Sequence, residues 1–166
     1  MKWLLVLLPL VFISCHRKEP WQHTAIRNSD LRYDMAKLSY PPTSAHKGIL
    51  LEFIRQDHSI EGYLSVCTFE IPPVKDHLQL AEITFSTQEE RASYVVDRLA
   101  GGQRLHLSER ALNKLLELFK DSPEVTIVIG HYSQTFSSGT FERQYRKLCK
   151  LPPRLMPEKI VTFELY

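Results

Sequence analysis

The sequence predicts an α+β domain: a mainly antiparallel sheet of about six or seven strands, with one amphipathic helix (about 109–120) packed on one face. Three observations lead there. From Gly48 onward, short runs rich in β-branched and aromatic residues recur between turn formers. One segment alone, beginning after Ser108, repeats its apolar residues at helical spacing. Strands come first, then that helix, then more strands, without the strand–helix alternation that builds parallel sheets. The chain has 166 residues, with 43% apolar and 24% charged side chains, which suits one globular domain.

The elements follow in chain order. Met1-Lys2 precedes eleven apolar residues, "WLLVLLPLVFI", the charged and hydrophobic regions of a secretory signal. As a helix that run would span roughly 16 Å against a bilayer core of about 30 Å, too short to cross comfortably. Residues 16–47 are charged, lack sustained periodicity and close on "SYPPTSAHKG", so they read as a tether. "GILLEFIR" (48–55) reads as a strand, "DHSIEG" (57–62) as a turn, and "YLSVCTFEI" (63–71) as a strand stopped by Pro72-Pro73. In "LQLAEITFS" (78–86) the apolar phase switches after Leu80, which predicts a bulge. "ASYVVDRLA" (92–100) and "QRLHLS" (103–108) flank Gly101-Gly102 as a hairpin.

Ser108 is the expected cap of the helix, whose apolar face is Ala111, Leu112, Leu115, Leu116 and Phe119. "VTIVI" (125–129) is a continuous apolar run, expected for a central strand covered on both sides. "HYSQTF" continues extended, and "FERQYRKLC" (141–149) fits strand or helix. "LPPRLMP" (151–157) is a Pro-rich connector, and "KIVTFELY" alternates as a last strand. The chain thus divides into a signal peptide (1–14), a tether (15–47) and one α+β domain (48–166).

The residues Phe12-Ile13-Ser14-Cys15, at the end of the apolar run, resemble the lipobox of a bacterial lipoprotein precursor, with Phe12 where Leu is usual. The resemblance covers residues 1–15 and leaves the following domain without a family. It implies cleavage before Cys15, whose thiol would carry diacylglycerol and whose α-amine would carry a fatty acid such as palmitate. Several acyl chains anchor firmly, at about 0.8 kcal/mol per buried methylene. It also implies a cell-envelope address. His16, rather than Asp, after the cysteine leans toward the periplasmic side of the outer membrane.

With Cys15 lipidated, Cys67 and Cys149 remain, an even number in an exported chain. A disulfide between them, worth about 4–5 kcal/mol in the chain-entropy view, and two buried free thiols both stay open. Cys67 shares an expected strand face with Tyr63 and Phe69.

The formal charge is +2, and Lys2 is the only charged residue of 1–14, leaving +1 from Cys15 onward. That near-balance speaks against nucleic acid as a partner. Residues 16–47 hold six Lys/Arg against three acids, and 142–159 six against two. They read as solvated surface or as an electrostatic footing on an anionic membrane or polymer.

Seven histidines occur without an i,i+4 pair on a helix, and His106 alternates with leucines on a strand, so no metal site is expected. No nucleophile elbow or phosphate loop is present, and no cofactor is expected. Glu89 and Glu90 are adjacent and read as a charged turn. "HYSQT" (131–135) could line a cleft at the end of a strand.

The expected function is a membrane-anchored envelope lipoprotein whose domain has a structural or protein-interaction role, with an envelope protein as partner. The alternative is a lipid-tethered hydrolase, or a small-ligand carrier, using a cleft near His131.

Overall fold

The computed structural model describes residues 19–26, 35–44, 46–56 and 59–150. Among them nine strands form one antiparallel sheet: β1 (Gln22–Ile26), β2 (Met35–Tyr40), β3 (Ile49–Gln56), β4 (Ser59–Val66), β5 (Leu80–Ser86), β6 (Arg91–Arg98), β7 (Arg104–His106), β8 (Glu124–Ile129) and β9 (Tyr132–Ser137). Two helices, α1 (Glu109–Asp121) and α2 (Phe141–Cys149), complete the described fold. The spatial order is β1-β2-β3-β4-β7-β6-β5-β8-β9. Three meanders are therefore joined side by side, β1 to β4, β5 to β7 and β8–β9, with every pairing antiparallel.

The α+β class is as the sequence predicts, but the inventory is larger by two strands or more and by one helix. Two of the added strands fall in the supposed tether. Their side chains explain the difference: β2 fully buries only Ala36 and Leu38, with Tyr40 half-buried beside them, so its apolar signal is thin. Ahead of β1, Trp21 is 1% exposed and lies inside the domain. Among the described residues the folded unit thus reaches back to Trp21, ahead of Gly48.

Local departures have equally local causes. The β3–β4 hairpin pairs Gln56 with Ser59, so most of "DHSIEG" belongs to β4, and β4 ends at Val66. The phase switch near Leu80 marks the start of β5 rather than a bulge, with Leu78 left exposed in the preceding turn. The run 125–129 is buried at alternate positions only, because β8 is next to the edge strand and has one covered face. Residues 141–149 are helical: Phe141, Gln144 and Leu148 are buried, and Tyr145 packs beside them. The expected connector 151–157 and last strand lie outside the described residues.

Helix α1 starts where the sequence places it, with Ser108 Oγ accepting from Ala111 N. Glu109 in the first turn and Lys120 in the last suit the helix dipole. Both helices pack on the same face of the sheet. There Phe53, Phe119, Phe136 and Phe141 gather around Trp21, each buried.

The sheet curls until β9 packs against the start of β3 and the segment that precedes it. Trp21 Nε1 donates to Ser137 O of β9 at 2.7 Å. Tyr132 Oη accepts from Phe69 N and donates to Phe69 O, at 2.6 and 2.9 Å. Gln134 accepts from Ile49 N at 2.8 Å and from Thr43 N, and donates to Pro41 O. The inward polar groups of β9 therefore satisfy backbone groups of segments far away in sequence.

The hairpin at Gly101-Gly102 separates backbone strain from steric need. Both glycines have positive φ, +86° and +66°. A Cβ on Gly101 would meet open space, whereas one on Gly102 would stand 2.1 Å from an Arg98 guanidinium nitrogen. That guanidinium is fixed by Ile71 O, Leu78 O and Glu70 Oε2. Gly101→Ala should cost about 1 kcal/mol, and Gly102→Ala about 3 kcal/mol because it also displaces charge-assisted bonds. Urea denaturation checks this, and equal losses would contradict it.

Candidate functional site

Helix α2 carries two faces of different chemistry. Its buried side holds Phe141, Gln144 and Leu148, and its outer side presents Arg143, Arg146, Lys147 and Lys150, spaced three and four residues apart. These cations, with His23 from the edge strand β1, line a groove of about 640 Å³. Lys147 and Lys150 make no ion pair with any described residue. Arg146 reaches Glu142 at 3.7 Å along the helix.

Glu19 bonds one of the groove's cations. Its carboxylate accepts from Arg143 and from Gln144 Nε2. The Arg143 bond first, then that of Gln144, holds the Glu19 carboxyl below its usual value. The backbone leading into Trp21 is thereby fastened to α2. On the floor, His23 Nε2 is buried without a hydrogen-bond partner. Burial, and then the Lys147 ammonium, hold the His23 imidazole below its ordinary value.

A second charged group lies on the outer face of the sheet. Glu52, 7% exposed, bonds Lys37 at 3.0 Å and Arg104 at 3.3 Å. The Arg104 guanidinium covers the Tyr63 ring at 4.3 Å. His106 stacks beside Tyr63 and stands 3.6 Å from Asp97. These groups contact one another across β2, β3, β4, β7 and β6 and stiffen the sheet, although Arg104 Nε is buried without a hydrogen-bond partner.

The residues singled out in the sequence do not converge. Cys15 is outside the described residues. His131 is exposed in the turn between β8 and β9, and its neighbours divide between two faces. Tyr132 and Gln134 point inward and are engaged in packing, while Ser133 and Thr135 point outward, Thr135 bonding Thr126 at 2.8 Å. Glu89 and Glu90 lie in an exposed turn beside Thr87, whose hydroxyl accepts both their backbone N–H groups.

Cys67 and Cys149 are free and exposed. Cys67 follows β4 outside the strand, near Ile49, whereas Cys149 O accepts from Arg55 at the other end of β3. Six strand residues separate those ends by about 20 Å, against the 7 Å or so that a bridge tolerates. Burial, and then the Cys149 thiol, push the Tyr145 hydroxyl up to about 12.

The groove was half legible in the sequence. The basic excess of residues 142–159 is visible in composition, but His23 and Glu19 join it only through the pairing of β1 with β2 and the packing of α2. Among the described residues no His, Cys, Asp and Glu group could hold a metal ion, and no helix is long and apolar enough to cross a membrane. No known protein family, curated protein or solved structure matches the chain.

The state of His23 gives a pH signature. Its folded value is depressed, so as pH falls through about 6.5 the unfolded chain takes up the proton first. The stability present above that pH is then lost on acidification. The Glu19 contribution fades only lower, within the carboxylate range. His23→Gln should flatten the fall in urea midpoint between pH 7 and pH 5. An unchanged slope would contradict this origin.

Proposed function

We propose that the chain is a bacterial envelope lipoprotein, lipidated at Cys15, whose α+β domain is a structural or protein-interaction module. The observation that carries the reading is Phe12-Ile13-Ser14-Cys15, ending an apolar run too short to span a bilayer and followed at once by "HRKE". Its address is the cell envelope, with His16 favouring the periplasmic side of the outer membrane.

The domain's geometry suits binding better than turnover. Cations gather along one groove, whereas His131 is exposed and its inward neighbours are occupied in packing. The space beneath α1 is filled by the aromatic side chains around Phe119, which favours an external binding surface over an internal carrier cavity.

Metabolic labelling with a radioactive fatty acid tests the anchor. Wild-type chain should incorporate label and remain with the membrane fraction, and Cys15→Ala should lose both. Equal label in the two chains would defeat the assignment.

A further inference from the structure

Three features converge on the outer side of α2. First, the link from the anchor is short. Four residue steps separate Cys15 from Glu19, so their Cα atoms are at most about 14 Å apart whatever the path. Glu19 itself touches Arg143 and Gln144, which ties the start of the domain to the basic helix. Second, the charge is of one sign. Arg143, Arg146, Lys147 and Lys150 line one groove, and within the link Arg17 and Lys18 add two more cations. The carboxylates nearby are Glu19, bonded to Arg143, and Glu142, set beside Arg146. Third, the cations are available, since Arg146, Lys147 and Lys150 are all exposed.

We propose that this face of α2 seats the domain on the anionic phosphate headgroups of the bilayer that holds Cys15. The proposal rests on the lipid-anchor reading for its geometry, while the charge of the face is a property of the folded domain alone. Juxtamembrane cations act on an anionic surface only within about a Debye length, roughly 8–10 Å. A domain on a 33-residue tether would spend most of its time beyond that range, whereas a domain joined at Glu19 starts within about 14 Å of the anchor. The lipid and the basic face then act as two linked signals, each raising the effective concentration for the other. The face set against the membrane would leave the outer face of the sheet, with Tyr63, Arg104 and His106, for other envelope components.

The test uses the chain from residue 15 onward with Cys15→Ser, so that no lipid is attached. It is sedimented with vesicles of phosphatidylcholine alone, or of equal parts phosphatidylcholine and phosphatidylglycerol. Binding is expected to the anionic vesicles only, and to fall with added salt. Each Lys or Arg near such a surface is worth about fivefold in partitioning. The triple variant Arg146→Gln, Lys147→Gln, Lys150→Gln should therefore bind about a hundredfold more weakly. A control with the same charge loss elsewhere, Lys75→Gln, Arg91→Gln, Lys120→Gln, should keep nearly all binding. Unchanged tryptophan fluorescence would show that both variants are folded.

Equal binding to both vesicle types, or equal loss in both triple variants, would overturn the proposal. So would displacement by soluble glycerol phosphate at the same phosphate concentration, which would assign the face to a free anionic ligand. Failure of the anchor itself would show only in fatty-acid labelling, because this assay contains no lipidated protein.

Discussion

The indole of Trp21 is the contact on which the rest of the fold depends. It is 1% exposed, donates to Ser137 O in β9, and meets the rings of Tyr40, Phe53, Phe119 and Phe141 at centroid distances of 4.9–6.1 Å. One side chain thus touches β2, β3, β9 and both helices while sitting just ahead of β1. A nine-stranded open sheet has two edges, each a row of unpaired backbone groups. Placed just ahead of β1 and bonded to Ser137 of β9, Trp21 ties the chain at both ends of the sheet to a common core. Loss of such a side chain from a packed core typically costs about 3–5 kcal/mol, a large share of the stability of a domain this size.

What could be read from the sequence follows how each element earns its burial. Strands β3 and β5 and helix α1 bury many apolar residues each, so periodicity alone located them. β1 and β2 were invisible because they contribute little apolar surface themselves. "MAKLSY" fully buries only Ala36 and Leu38, with Tyr40 half-buried, and Lys37 serves the outer face by bonding Glu52. Trp21 was the available signal, a large aromatic in a stretch otherwise suited to a tether. "VTIVI" misled in the opposite direction: Thr126 and Val128 are β-branched yet half-exposed, because strand propensity and burial are separate properties. In α2, Phe141, Tyr145 and Leu148 at i, i+4 and i+7 were a helical signature diluted by charged residues between them.

The position of β1 also changes what the N-terminal cysteine would do. With a long tether, a lipid on Cys15 would only confine the domain near a membrane. With the fold reaching back to Trp21, the same lipid would constrain which side of the domain faces the bilayer. That side is set by Glu19, which joins the incoming chain to Arg143 and Gln144 of α2. The candidate site and the fold thus have a common cause: the packing of the first described residues against a helix that follows more than a hundred positions later.

Trp21 also offers the most direct measurement. Of the two tryptophans, Trp3 and Trp21, the chain from residue 15 onward keeps Trp21 alone. In that chain, with Cys15→Ser, the emission should be blue-shifted, resistant to iodide quenching, and lost in a single cooperative step with the rest of the fold in urea. A water-like emission, open to iodide and unaltered by denaturant, would place Trp21 outside the domain and contradict the account.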